Sequence, residues 1–380
     1  MKEAIQLGAG NIGRGFIGSL LHQSGYHVVF ADVMTKVVDK INEDKEYTIF
    51  VKDTECREEK VTNIRAVYSN KDEFIEEIQK ASILTTAVGP NILKIVAPTI
   101  AKGIRARLQS NSKEYFNIIA CENALNASTL LKEHIYQNLN DEEKVYADEY
   151  IGFPNSSVDR IVPPAHCENP IDVVVEDYYE WNVEKSGFKG EIPDIVGMNL
   201  ADNLISYVER KLFTLNTGHA ISAYLGALKG HKTVDQSIND PEIYAVVKSA
   251  MIESGNGLIK KYDFAEEKHL AYIEKIIKRF KNTYLNDDVT RVGREPLRKL
   301  SNADRIIKPM QTALSYGLPV DNLITGAAVA LHFVSEDDPQ SLQLCKDIRE
   351  KGVKTMIEEV TKLDNEDIIE AIAQKYEQLK

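Results

Sequence analysis

Between Lys211 and His219 the chain reads KLFTLNTGH, placing an amine, a carboxamide and an imidazole within nine residues. Oxidation of a secondary alcohol needs a group that takes the hydroxyl proton and donors that stabilise the negative oxygen left behind. A lysine can be that base when burial and neighbouring donors bring its pKa toward neutrality. Lys211 stands beside Leu212, Phe213 and Leu215, an apolar run compatible with partial burial. Asn216 is a neutral donor suited to an oxyanion, and His219 can orient the hydroxyl or the lysine. If the segment is helical, Asn216 and His219 share a face, and Lys211 lies about two turns before His219. Taken singly, each residue has an ordinary use: a solvated lysine at a helix start, an asparagine cap, a histidine satisfied in a core.

A second chemistry-bearing segment opens the chain, IQLGAGNIGRGF. Gly8, Gly10 and Gly13 form GxGxxG directly after an apolar run. The first glycine permits a tight turn, the second removes a side chain where a pyrophosphate must approach, and the third lets a helix pack close to the strand. Ala9, Asn11 and Ile12 complete the turn, whose N–H groups and helix dipole favour an anion. Asp32 ends the second apolar run, 19 positions beyond Gly13. A carboxylate there accepts from ribose hydroxyls and repels a 2′-phosphate, so NAD is favoured over NADP. Gly89 in TTAVGPN and Asn123 in ACENA follow later apolar runs. Gly89 either lets a cofactor lie against the backbone or simply turns the chain.

Positive charge is concentrated between Arg291 and Lys308, RVGREPLRKLSNADRIIK, with six basic and two acidic residues in a chain of net charge -12. Pro296 suits the first turn of a helix, which puts Arg298 and Lys299 near its positive end. Arg294, Arg298 and Lys299 are therefore candidate ligands for a phosphate monoester, and a solvated basic face is the alternative.

The elements that must position these residues fall into two textures. Ala4–Leu7, Val28–Ala31, Ser82–Val88 and Phe116–Ala120 are short apolar runs alternating with helical patterns, which predicts a doubly wound parallel sheet. Asp172–Val183, DVVVEDYYEWNV, predicts extra strands. Farther on, Glu242–Tyr262, Glu266–Asn282, Val320–Val334, Pro339–Lys351 and Asn365–Leu379 carry apolar residues at helical spacing. The expected fold is an α/β N-terminal Rossmann-like domain with extra strands, residues 1–190, plus a mostly α-helical C-terminal domain, 191–380. Gly187–Pro193, GFKGEIP, is the candidate linker.

Bulk properties exclude several classes. A net charge of -12 argues against nucleic acid as the main partner. Cys56, Cys121, Cys167 and Cys345 are scattered without a CxxC pair, so no zinc set or disulfide framework is expected. The N-terminus lacks the pattern of a signal peptide, and no run of about 18 apolar residues suggests a membrane span. A cytoplasmic protein acting on a small molecule without a metal is the expectation.

The KxxxxNxxH spacing resembles the signature of the polyol-specific long-chain dehydrogenase/reductase family. Cys121-Glu122-Asn123 is similar to its C-[DE]-N motif and VDRIVP, Val158–Pro163, to a further segment. The resemblance covers the chain in length and motif order. It implies that Lys211 is a general base, that Asn216 and His219 bind the reacting oxygen, and that Asn123 is a second donor to it. Asp159 in VDRIVP reads most simply as a structural partner of Arg160. With the basic cluster, the resemblance implies NAD-dependent, reversible oxidation of D-mannitol 1-phosphate to D-fructose 6-phosphate by a monomer or weak homodimer. Within the same family a tagaturonate or fructuronate reductase is the alternative, its carboxylate meeting the basic cluster. From another class, a non-catalytic NAD-sensing regulator is the competing reading.

Overall fold

In the computed structural model, which describes residues 2–53, 56–163 and 167–380, the chain divides into two compact units, Met1–Leu204 and Ile205–Lys380. In the first, six parallel strands form one sheet. Its order is Ile64–Tyr68, His27–Asp32, Glu3–Leu7, Ile83–Thr86, Phe116–Ala120 and Ile151–Gly152. Numbered along the chain, that order is 3-2-1-4-5-6, the doubly wound arrangement whose ligands lie beyond the carboxyl ends of the strands.

The apolar runs make strands here because both faces of the sheet are covered. Ile5, Leu7, Val29 and Ala31 face one core, with Phe74, Ile78, Ile100 and Ile104 from helices Asp72–Lys80 and Leu93–Gln109. Ala4, Val28 and Phe30, one residue out of phase, face the other. There they meet Phe16, Leu20 and two three-stranded sheets. The expected extra strands resolve into Val173–Val175, paired with Tyr47–Val51, and Glu180–Glu184, paired with Ser156–Asp159 and Met198–Ala201.

The Gly187–Pro193 stretch, anticipated as a linker, lies inside the first unit. The Asn117 carboxamide holds it to the sheet. Oδ1 accepts from the Lys189 N–H at 2.9 Å, and Nδ2 donates to the Lys189 carbonyl at 3.1 Å. The Phe153 N–H also donates to the Gly187 carbonyl at 3.1 Å. Glycine and proline here serve close packing: a Cβ on Gly187 would sit 2.3 Å from Pro154 Cα.

The second unit is helical. Thr217–Lys229 runs through its centre, buried on nearly every side, and packs on Pro241–Tyr262, Val289–Gly293, Val234–Asn239 and Asp321–Ala330. Gly218 and Gly226 permit that crowding, because a Cβ would come within 2.6 Å of Met251 Sδ at the first and 1.9 Å of Ser237 Oγ at the second. Glu266–Phe280, Pro339–Lys351 and Glu366–Gln378 complete the expected helices. No helix among the described residues is long and apolar enough to cross a membrane.

Candidate active site

In the first unit the three glycines of the opening turn have three different reasons. Gly8 adopts φ +93°, and a Cβ there would meet the Ala87 carbonyl oxygen at 2.4 Å. A Cβ on Gly13 would lie 1.9 Å from the Gly8 carbonyl oxygen, so only glycine lets the helix approach the strand. A Cβ on Gly10 would meet nothing within 4 Å. The protein's own packing does not demand glycine at position 10, whereas a phosphate approaching the backbone would. The chain is helical from Asn11, and the Arg14 N–H to the Gly10 carbonyl, 2.9 Å, is the first bond of that helix. The amides ahead of it, through Asn11, Ile12 and Gly13, belong to the helix end that has no intrahelical acceptor.

Asp32 is drawn to this turn. One carboxylate oxygen accepts from the Ala9 N–H at 2.7 Å and the other from the Met34 N–H at 2.9 Å. A carboxylate has about four lone-pair sites, so both oxygens can still accept from a ribose diol. The neighbouring strand ends are tied together by Glu122, which is buried. It accepts from Thr86 Oγ1 at 2.7 Å, from the Val88 N–H at 3.0 Å and from the Gly89 N–H at 2.9 Å. Gly89, at φ +96° and with open space at its Cβ position, is thereby fixed in a positive-φ turn beyond the carboxyl ends of the strands. Asn123 follows Glu122 directly and is exposed. Glu122 was not singled out by sequence; its place in the C-[DE]-N triplet is the signal that could have found it. Arg160 donates to the Gly15 carbonyl at 3.0 Å and twice to the Glu176 carbonyl, so its guanidinium braces the helical segment Gly13–Ile17 that follows the glycine turn instead of serving chiefly as an ion-pair partner for Asp159.

In the second unit Lys211, Asn216 and His219 are all partly buried, on the segment leading into the central helix. The segment is helical but not uniformly α: Lys211–Asn216 forms a π turn, and α-helix resumes at Thr217. In an α-helix, residues five apart point about 140° away from each other. A π turn takes one more residue per hydrogen bond and brings such residues back toward one face. It also loosens the carbonyl ladder. Thr217 Oγ1 donates to the Leu212 carbonyl at 3.2 Å and to the Arg305 carbonyl at 2.5 Å, and Ser254 Oγ donates to the Phe213 carbonyl at 2.6 Å. Phe213, Thr214 and Leu215 face the core, leaving the polar members of the motif on the other side.

His219 is held from two directions. Its ring stacks on Phe280, with centroids 5.2 Å apart and planes 14° from parallel. Its Nε2 lies 2.9 Å from Oδ2 of Asp287, which is 5% exposed. Arg291 Nη2 bonds the other oxygen, Oδ1. Burial pushes the Asp287 carboxyl up, but its bond to His219 and the charges of His219, Arg291 and Arg279 outweigh burial and hold it below the usual carboxylate range. Beneath the π turn, His269 Nε2 lies 3.5 Å from Thr214 Oγ1. Burial, helped by Arg210, depresses the His269 pKa to about 4.

The basic cluster is internally paired. Arg298 donates to Glu295 Oε2 at 2.8 Å and to Asp304 Oδ2 at 2.9 Å, and Arg305 donates to Asp304 Oδ1 at 2.7 Å. Lys299 is 4% exposed, and its ammonium donates to the carbonyls of Val292 and Arg294. Burial, then the charges of Arg305 and Arg298, lower its pKa to about 7. Lys299 thus closes the preceding turn from within, unlike the accessible phosphate ligand anticipated. The helix starting at Pro296 ends at Lys299, so it is a single turn and its dipole is small. Arg294 is exposed and Arg298 about half exposed. Among the described residues no group of three or more His, Cys, Asp or Glu side chains is placed to hold a metal ion.

Comparison with known proteins follows the same division. The family model of the mannitol dehydrogenase Rossmann domain matches residues 2–197, and that of the mannitol dehydrogenase C-terminal domain matches residues 203–380. The crystal structure of a D-sorbitol dehydrogenase in substrate-free form is similar at a TM-score of 0.77 and 15% identity, covering 98% of this chain and 95% of that one. Mannitol 2-dehydrogenase of Pseudomonas fluorescens, in a ternary complex with NAD and D-mannitol, is similar at 0.70 and 16% identity, covering 100% and 92%. At such identities the likeness to these structures is one of fold.

Two outcomes follow from this geometry. Gly10→Ala should leave thermal unfolding within a degree or two of wild type and weaken NADH binding about tenfold or more, a loss of ~1.4 kcal/mol in a fluorescence titration. Gly13→Ala, which forces backbone to move, should lower both stability and binding. Equal behaviour of the two variants would remove the argument that position 10 is shaped for a ligand. The second outcome concerns His269. Its folded pKa lies below the unfolded value near 6.5, so its stabilising effect is complete above that pH and is lost as pH falls toward about 4. Between pH 7 and pH 5 this should remove about 2 kcal/mol of stability. Urea unfolding followed by circular dichroism should show that loss in the wild type and not in His269→Gln; an identical pH slope in both would contradict it.

Proposed function

The chain belongs to the mannitol dehydrogenase family, and on that premise we propose that it catalyses the reversible, NAD-dependent oxidation of D-mannitol 1-phosphate at C5 to D-fructose 6-phosphate, without a metal. The observation that carries the reading is the π turn that gathers Lys211 and Asn216 toward one face, with the anchored His219 following at helical spacing. Proton removal, oxyanion stabilisation and orientation then come from one short segment.

The glycine turn and Asp32 would hold NAD, which would supply the hydride acceptor. Lys211 removes the proton from the C5 hydroxyl and returns it when the reaction runs backward. Asn216 donates to the oxygen as negative charge develops on it, and Asn123 is the corresponding amide donor proposed on the first unit. His219 orients the reacting group. The phosphate reading is supported by the Arg291–Lys308 cluster, where Arg294 is exposed and Arg298 keeps about half of its side chain accessible. Arg294 and Arg298 are the proposed contacts; Lys299 supports the loop that carries them. Asp32 disfavours a 2′-phosphate and so favours NAD over NADP.

Initial rates of NADH consumption with fructose 6-phosphate, fructose and tagaturonate test the substrate. Fructose 6-phosphate should be reduced with the largest kcat/KM. Comparable or faster turnover of fructose or tagaturonate would move the activity elsewhere in the family. Lys211→Ala should lower kcat by ~10²-fold or more while NADH binding stays near normal, and an external amine should restore part of the rate. A variant keeping more than about a tenth of wild-type kcat would remove Lys211 from the role of base.

The phosphate contacts are tested by a ratio. Arg294→Ala and Arg298→Ala should each lower kcat/KM for fructose 6-phosphate ~10–150-fold, because a charge-assisted contact contributes ~1.5–3 kcal/mol. Both should leave the value for fructose nearly unchanged. An unchanged ratio between the two substrates in both variants would mean that the cluster is a solvated basic face.

A further inference from the structure

We propose that Asp287 is a positioning residue that holds His219 with its proton on Nε2, so that Nδ1 is the imidazole nitrogen presented to the substrate. The inference rests on the reading of Lys211, Asn216 and His219 as the catalytic segment. Asp287 is neither in that segment nor near it in sequence; 68 residues separate it from His219.

An ionised carboxylate only accepts hydrogen bonds, so the 2.9 Å contact between Asp287 Oδ2 and His219 Nε2 requires the proton to be on Nε2. Asp287 stays ionised because cations surround it. Arg291 bonds Oδ1 directly, and Arg279 adds positive charge. The carboxylate is also fixed in place. Asn286 adopts a left-handed conformation at φ 46°, the Asp287 carbonyl accepts from the Val234 N–H at 2.8 Å, and Asp288 caps the next helix by accepting from the N–H groups of Thr290 and Arg291. Stacking on Phe280 sets the plane of the His219 ring, and Asp287 sets its rotation within that plane.

The consequence is a division of labour. When only one ring nitrogen of His219 carries a proton and that proton is committed to Asp287, Nδ1 is an acceptor. It can then receive a hydrogen bond from a substrate hydroxyl or from the Lys211 ammonium, while Asn216 donates to the reacting oxygen. With the tautomer reversed, Nδ1 would carry a hydrogen and that acceptor would be gone.

The test combines kinetics with a spectroscopic readout. Asp287→Asn should lower kcat ~10²-fold with NADH affinity unchanged. In a His219→Gln background the same substitution should cost less than about twofold, since a residue acting through His219 has nothing left to position. Equal losses in both backgrounds, or a single variant within about twofold of wild type, would overturn the proposal. If Asp287→Asn does not fold, Asp287→Glu in the same two backgrounds serves instead, with a smaller loss expected. Nitrogen-15 chemical shifts of His219 at alkaline pH should show the Nε2–H tautomer in the wild type; an Nδ1–H tautomer would refute the proposal directly. Because the nitrogen shifts are read without substrate, they decide the tautomer even if no polyol phosphate turns over. Failure of the functional reading and failure of this inference are therefore distinguishable.

Discussion

One additional residue in a helical turn is the constraint on which the proposed catalytic segment depends. The widened turn at Lys211–Asn216 lets the amine and carboxamide approach a common face, while Phe213, Thr214 and Leu215 remain in the core. Such a turn is unfavourable unless its carbonyls find donors. Thr217 comes from the motif itself and Ser254 from the adjacent long helix, and both are fully buried. Their hydroxyls take over hydrogen bonds that a regular ladder would have made. The central helix that follows can be crowded only because glycine occupies positions 218 and 226. The chemistry proposed for the segment therefore depends on small and hydroxylated residues packed in the core.

The first unit solves a different problem, which is to hold several strand ends in a fixed relation without filling the space in front of them. Half-buried Asp32 and the buried Glu122 and Arg160 do this through backbone amides and carbonyls. Asp32 holds Ala9, Glu122 holds Val88 and Gly89, and Arg160 holds Gly15. Each contact satisfies a polar group while leaving the edge free of side-chain bulk. Gly10 is the informative case, since its neighbours leave room for a side chain that the sequence does not supply.

Much of this was legible in the sequence, and the reasons differ by region. The strands read clearly because both faces are buried and the runs are continuously apolar. The glycine turn and Asp32 read clearly because their spacing reflects a local geometry. The π turn was not legible, since apolar residues at 212, 213 and 215 fit either helix type. Asp287 was not legible because its relation to His219 exists only in the fold. Charge counting placed Lys299 with the accessible arginines, yet burial turns it inward onto carbonyls. Gly187–Pro193 looked like a linker by composition, but its glycines serve close approach to Pro154 and Tyr115 instead of freedom.

The proposed reaction moves a hydride from a polyol carbon to a nicotinamide, with Lys211 taking the proton. The most direct measurement uses mannitol 1-phosphate carrying deuterium on C5, incubated with NAD and the protein, and follows the label by mass spectrometry. NADH heavier by one deuterium and fructose 6-phosphate without it are expected, with the yield of both strongly lowered in Lys211→Ala. Unlabelled NADH, or no nucleotide reduction by any polyol or polyol phosphate, would contradict it.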